Sequence, residues 1–198
     1  MPSPTFVLDG QSLRIEDVVR VARDPTTRVT TAPDARRALR GGRDIVDRAI
    51  ASGQTIYGIN TGFGKLANVR IPPDQLDQLQ INLIRSHASG VGSPLPAAVV
   101  RATMLLRANV LLRPTSGVRP ELVDAVIAML NAGVLPVVPE QGSVGASGDL
   151  APLSHIGLAL MALVAGLFPA LMVYRRKERG TGIQGGDQDK NELGSLNA

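Results

Sequence analysis

Proline and glycine divide this chain into helical segments separated by irregular loops, and this division limits what the chain can fold into. Pro33 and Pro120 stand where helices begin, and Gly53 and Gly133 stand where helices end. Apolar residues recur at helical intervals within residues 34–51, 74–85, 97–112 and 120–132, and a last helix begins near Leu150 or Ala151. The pattern predicts a mainly α fold in which short strands lie in the loops.

Two smaller elements are predicted before these helices. Residues 6–8 (Phe-Val-Leu), followed by Asp9 and Gly10, indicate a short strand and a turn. Four apolar residues at helical spacing predict the buried face of a short helix: Ile15, Val18, Val19 and Ala22. Residues 134–148 are rich in Pro and Gly and leave room for one further short strand.

The composition excludes several classes of function. Aromatic residues make up 3% of the 198 residues and Trp is absent, which argues against a stacking surface for single-stranded nucleic acid. The absence of cysteine removes thiolate metal sites and thiol nucleophiles, and His87 and His155 are too few for a histidine-rich metal site. The first residues lack the basic and apolar regions of a signal peptide. We therefore expect a cytoplasmic protein that uses neither nucleic acid nor metal.

Residues 145–149 (Gly-Ala-Ser-Gly-Asp) carry an unusual chemical possibility. A tight turn can press the Gly148 backbone nitrogen against the Ala146 carbonyl carbon, because glycine has no Cβ and permits close approach. Ring closure with loss of water, and loss of a second water from Ser147, would leave a methylidene electrophile made from the chain itself. The plainer interpretation is a turn followed by a helix that Asp149 caps.

Five segments together resemble the aromatic amino acid ammonia-lyases. They are YGINTGFG (57–64), NLIRSH (82–87), RANVL (107–111), SGVR (116–119) and GSVGASGDLAPLSH (142–155). The resemblance covers residues 5–165 and implies the N-terminal part of a helical-bundle lyase. It also implies that Ala146, Ser147 and Gly148 form the 4-methylidene-imidazol-5-one group (MIO), with no metal.

The resemblance also suggests a substrate. Histidine-specific members of the family carry Ser-His where this chain has Ser86 and His87, whereas tyrosine and phenylalanine enzymes carry His-Leu or Phe-Leu. It therefore implies that ammonia is eliminated from L-histidine to give urocanate, with Ser86 and His87 contacting substrate and Tyr57 removing the β-proton. The enzymatic alternative is a tyrosine or phenylalanine ammonia-lyase or aminomutase.

The residues alone permit plainer roles. His87 would be a helix-end or core histidine with a backbone partner, and Tyr57 a half-buried aromatic that holds its loop down. His155 lies on an apolar helix, so we expect it to be a buried histidine whose hydrogen bonding is satisfied.

The resemblance weakens after Leu160, so we expect a family-like region over residues 1–165 and a divergent one over 166–198. Residues 156–174 carry no charge and precede Arg175. This pattern fits a buried bundle helix, which we favour, and also a membrane span. From Arg175 onward the composition predicts a solvated polar tail.

Family members are longer, and the resemblance implies that their further helices complete active sites shared within a homotetramer. We therefore expect this chain to be a truncated, frame-shifted or partial product that is poorly soluble and inactive alone. A non-catalytic or membrane-associated fragment is the alternative from another class.

Overall fold

The computed structural model describes residues 4–164, and this part of the chain is mainly α-helical, as predicted. Its helices are α1 (Ile15–Arg23), α2 (Pro33–Ala51), α3 (Leu76–His87), α4 (Ala97–Leu111), α5 (Pro120–Ala132) and α6 (Leu150–Val164). Its strands are β1 (Thr5–Leu8), β2 (Arg28–Thr31), β3 (Val91–Pro94) and β4 (Pro139–Gln141). The predicted domain boundary at residue 165 and the tail beyond it lie outside the described residues.

The predicted helix ends are confirmed where proline and glycine mark them. Proline occupies the first turn of α2 and of α5, where a backbone N–H would have no partner within the helix. Gly133 ends α5 with φ of 67°, and its N–H donates to the Leu130 carbonyl oxygen. A residue with a Cβ is disfavoured in this left-handed conformation, so glycine suits the position.

The N-terminal strand and helix are confirmed, but the predicted buried face of α1 is partly wrong. β1 and β2 pair in parallel from Thr5 opposite Arg28 to Leu8 opposite Thr31, and α1 connects them. Val21 is fully buried, whereas Ile15 is 79% exposed. The part of α1 that contacts the core is therefore its C-terminal half, because α1 packs there against α4.

The core lies mainly between α1, α4 and α5, with β1 and β2 against it. Each of its main elements contributes fully buried apolar side chains: Leu8, Val21, Val29, Leu39, Met104, Leu105, Leu112, Val123, Val126 and Leu130. Burial of one such side chain contributes about 1.5 to 3 kcal/mol to folding. This core forms a rigid base beside the helices and loops of the candidate site.

A second, antiparallel sheet joins β3 to β4, with Val91 opposite Gln141 and Pro94 opposite Pro139. The sequence leaves room for a strand in the region of β4 but predicts no strand at β3. The strand β3 depends on pairing with residues distant in the chain, so local sequence does not indicate it. The two strands hold the segments after α3 and before α6 side by side.

The described part of the apolar segment 156–174 packs inside the protein. Ile156, Ala159 and Leu160 on α6 belong to the core, and the Ile84 side chain of α3 lies beside Gly157. Among the helices of residues 4–164, none is both long and apolar enough to cross a membrane. Residues 165–174 lie outside the described residues.

Candidate active site

The predicted ring-forming tripeptide lies in a 3-10 turn that spans Gly145–Ser147. Gly148 follows in the left-handed conformation, with φ of 86°, and its N–H donates to the Gly145 carbonyl oxygen over 3.1 Å. The Ser147 hydroxyl donates to the Val144 carbonyl oxygen over 2.8 Å. All of residues 143–149 are exposed. The turn is therefore tight and open to solvent.

Asp149 closes this loop. Its carboxylate accepts a hydrogen bond from the Ser143 hydroxyl, and its carbonyl oxygen accepts the Leu153 N–H at the start of α6. Asp149 thus occupies the position before the helix, as predicted, but its carboxylate binds Ser143 across the loop. It is also non-glycine with φ of 57°, a left-handed conformation that costs about 1 to 3 kcal/mol. The surrounding bonds must compensate for this strain.

The conformation at Gly148 suits the ring that the resemblance implies. A Cβ built at Gly148 would meet no atom within 4 Å, so the neighbourhood leaves space for the backbone to move. Ring closure requires the Gly148 nitrogen to leave the Gly145 oxygen and approach the Ala146 carbonyl carbon. Because glycine reaches left-handed and strained dihedrals at low cost, these residues fit the group.

Ser86 and His87 lie in the last turn of α3. The His87 Nδ1–H donates to the Leu83 carbonyl oxygen over 2.8 Å, because a carbonyl can only accept. The Ser86 hydroxyl donates to the same oxygen over 2.9 Å and lies 3.1 Å from His87 Nδ1. His87 therefore has a backbone partner, as expected of a helix-end histidine. Its Nε2 is the ring nitrogen that remains available to accept a hydrogen bond.

Tyr57 is 63% exposed, and its ring contacts Phe63 edge-on at a centroid distance of 5.9 Å. The loop is held by other side chains that the sequence analysis did not single out. Asn60 accepts the Ile56 N–H over 2.8 Å and donates to the Gln54 carbonyl oxygen over 2.6 Å, and it is buried with Thr61. A polar Asn-Thr pair among glycines is the signal that could have indicated this anchor.

The fold brings together two of the three predicted segments. Helices α3 and α6 pack on each other, and the Gly90 N–H donates to His155 Nε2 over 3.2 Å. The Ser86–His87 turn is thereby tied to the helix that follows the tripeptide. Tyr57 instead has its aromatic contact within its own loop. Across residues 4–164, no group of three or more His, Asp or Glu side chains could hold a metal ion.

The predicted hydrogen-bond partner of His155 is confirmed, because its Nε2 accepts the Gly90 N–H, but the residue is only partly buried and not buried as predicted. Burial lowers the pKa of His155 below the ordinary value of 6.5. The neutral ring is the form that accepts the Gly90 N–H, so desolvation and hydrogen bonding favour the same protonation state.

This histidine makes a pH dependence of stability testable. A lowered folded-state pKa means that the unfolded chain binds the His155 proton more readily, so stability is present above about pH 6.5 and falls as the pH drops. We expect the free energy of unfolding, measured with urea, to fall between about pH 7 and about pH 5. In His155→Gln the free energy of unfolding should fall less over the same pH range. Asp9 does not interfere, because hydrogen bonds from Ser12 and Gln11 lower its pKa to about 2. Equal pH dependence in both proteins would contradict the assignment.

Comparison with known proteins shows the family to which this chain belongs. The model of the aromatic amino acid lyase family matches residues 13–174, so the match runs past the predicted boundary at 165. This chain belongs to the aromatic amino acid lyase family. Enzymes of this family use the MIO group.

Individual relatives extend this result. Histidine ammonia-lyase of Geobacillus thermodenitrificans (strain NG80-2) is 56% identical over 156 residues, which are 79% of this chain and 31% of that protein. Histidine ammonia-lyase from Trypanosoma cruzi superposes with a TM-score of 0.71 at 40% identity, covering 78% of this chain and 29% of that chain. Ergothionase from Treponema denticola, an ergothioneine-degrading enzyme, gives a TM-score of 0.75 at 35% identity, covering 78% of this chain and 31% of that chain. The chain thus spans less than a third of the length of these relatives.

Proposed function

We propose that this chain is the portion of a histidine-type ammonia-lyase that forms the electrophile and presents part of the substrate site. The main support for this proposal is the 56% identity to a histidine ammonia-lyase across 79% of the chain. The packing of the Ser86–His87 turn beside the helix after the tripeptide supports it. Because the chain spans 31% of that relative, turnover requires the remaining part of such a protein.

Ala146, Ser147 and Gly148 would supply the MIO group. Its methylidene carbon, once formed, would accept electron density so that a poor leaving group, ammonia, can depart from the substrate. The chain would make the group by bonding the Gly148 nitrogen to the Ala146 carbonyl carbon, with one water lost there and one lost from Ser147. Residues 146–148 are exposed in the turn, so both waters have a path to solvent.

Other residues would bind the substrate and move its proton. His87 Nε2 can accept the N–H of an imidazole ring, because Nδ1–H is engaged by the Leu83 carbonyl oxygen. Tyr57 would take the β-proton on its phenolic oxygen, and its loop would have to close toward the tripeptide to do so. The hydrogen bonds of Asn60 hold the base of that loop, and Gly58 beside Tyr57 permits the change in backbone conformation that closure needs.

The family also suggests an assembly and a location. We place the complete enzyme in the cytoplasm as a homotetramer with active sites shared between subunits. Exposed apolar side chains on α4, Val99, Leu106 and Val110, are available for contacts of this kind. Gel filtration with light scattering would test the tetramer, and a monomeric active enzyme would exclude it.

We expect the MIO ring to form in this chain without the remaining part of the enzyme. We expect the intact mass of the purified chain to be lower than the sequence mass by two waters. Ser147→Ala cannot lose the hydroxyl water and should not show this deficit, so it is the matched control. The full sequence mass in the wild-type chain would favour a non-catalytic fragment.

The substrate is tested with a chimera. Residues 1–160 of this chain, joined to the remaining part of the Geobacillus thermodenitrificans enzyme, should convert L-histidine to urocanate, measured by its absorbance. Ser147→Ala should lower kcat/KM by more than about 100-fold. His87→Leu should lower it by about 10- to 100-fold through loss of a substrate hydrogen bond. Faster release of ammonia from tyrosine or phenylalanine would instead support the alternative lyase or aminomutase.

A further inference from the structure

His155 joins the two segments of the candidate site across the fold. Its Nε2 accepts the N–H of Gly90, which lies three residues after His87 in the chain. Its own position is one turn into α6, shortly after the tripeptide. This hydrogen bond therefore links the segment just after Ser86 and His87 to α6, the helix that follows the tripeptide.

The backbone is closely packed where the two segments meet, at Gly90 and Gly142. A Cβ on Gly90 would lie 3.1 Å from His155 Nε2 and 3.2 Å from the Gln141 carbonyl oxygen. A Cβ on Gly142 would lie 3.0 Å from the Gly90 Cα and 3.3 Å from the Ala151 Cβ. These distances are shorter than ordinary van der Waals contacts, so the backbones of Gly90 and Gly142 approach closely here, and α6 contacts them through the His155 and Ala151 side chains.

These contacts hold both ends of the loop that contains the tripeptide. Gly142 precedes the loop and lies against Gly90, and Ala151 follows the loop and lies against Gly142. A ring that forms only when a backbone nitrogen reaches a specific carbonyl carbon depends on how closely the loop ends are fixed. A displaced Gly90 would release the loop and the Ser86–His87 turn together.

We propose that His155 is a positioning residue which, through Gly90, sets the tripeptide loop and the Ser86–His87 turn relative to each other. The proposal rests on the proposed function for its chemical consequence, but the positioning itself can be measured without turnover. Burial that keeps the ring neutral supports the same role, since only the neutral ring accepts the Gly90 N–H.

Hydrogen–deuterium exchange of the full chain tests the positioning. His155→Leu keeps a side chain of similar size but removes the acceptor, whereas His155→Gln places an amide oxygen near the site of Nε2. We expect exchange in peptides covering residues 86–92 and 142–149 to rise about fivefold to tenfold in His155→Leu and to return toward the wild-type rate in His155→Gln. Peptides from α4 are the internal reference and should not change.

Gly90→Ala provides a second variant that acts from the other side of the hydrogen bond. Its Cβ should displace His155 and raise exchange in the same two segments, even if His155→Leu does not fold. Unchanged exchange in both segments, or exchange that rises equally in His155→Gln and His155→Leu, would overturn the proposal.

The chemical consequence is read from intact mass. We expect the fraction of chain with the two-water deficit to fall at least about fivefold in His155→Leu and to recover in His155→Gln. An undiminished deficit in His155→Leu overturns the positioning role while the proposed function stands. No deficit in any protein, including the wild type, counts against the proposed function, and the exchange rates then decide the positioning role alone.

Discussion

Gly42→Ala is expected to lower the free energy of unfolding by about 3 kcal/mol, because a single methyl group would overlap a backbone atom. Gly42 is buried in the middle of α2, against the 3-10 turn Pro114–Ser116. A Cβ there would fall on the Pro114 carbonyl oxygen and lie 3.0 Å from its carbonyl carbon. Backbone atoms cannot rotate aside as a side chain can, so helix and turn must separate.

Gly41 is the matched control, one residue earlier in the same helix. It is exposed, and a Cβ built on it would meet nothing within 4 Å. Gly41→Ala should therefore raise the free energy of unfolding by about 0.5 to 1 kcal/mol through helix propensity alone. Urea unfolding followed by circular dichroism measures both variants. Equal stability of the two would show that α2 does not press on this turn.

The helices were predictable because their signals are local. Proline at the start of α2 and α5 and glycine after α5 act through a few neighbouring residues, so spacing alone indicates where these helices begin and end. The strand β3 was not predictable in this way. It contains Gly92 with φ of 91°, and it exists because β4, from a distant part of the chain, supplies its hydrogen-bond partners.

The face of α1 shows the same limit on a smaller scale. Apolar periodicity includes Ile15, but α4 packs against the other end of α1, so Val21 is buried and Ile15 is exposed. Periodicity identifies which side chains share a face, and the partner helix decides how much of that face is covered.

The candidate site also combines features that local sequence predicts with a contact that it does not predict. The tight turn at Gly148 follows from neighbouring residues and could be predicted from the motif alone. The bond between Gly90 and His155 joins residues that are 65 positions apart, so no local pattern indicates it. The sequence could predict that His155 has a partner, because buried imidazole nitrogens are normally paired, but not which partner.

Arg101 is expected to produce the other large effect. It lies within the apolar helix α4, is 4% exposed and faces the core. Its spacing from Met104, Leu105 and Ala108 places it on the buried face, which was the available signal. A buried guanidinium is retained only where acceptors surround it.

Those acceptors are the carbonyl ends of two other helices. Arg101 donates to the Val21 carbonyl oxygen of α1 over 2.9 Å and 3.1 Å, and to the Leu130 carbonyl oxygen of α5 over 3.1 Å. The last carbonyls of a helix lack partners within it and carry the negative end of the helix dipole. Arg101 therefore fixes how α1, α4 and α5 meet at the centre of the core.

Arg101→Met should lower the free energy of unfolding by about 3 to 5 kcal/mol while keeping most of the side-chain volume, because the Val21 carbonyl oxygen loses both of its Arg101 donors and the Leu130 carbonyl oxygen keeps only the Gly133 N–H. Arg101→Lys keeps the charge but cannot reach both helix ends at once, so we expect an intermediate loss. Arg107→Met, on the exposed side of α4, should change stability by less than about 0.5 kcal/mol. Urea unfolding of the full chain gives all three values. If Arg101→Met were as stable as Arg107→Met, hydrophobic packing alone would hold the three helices, and the hydrogen bonds of Arg101 would add no net stability.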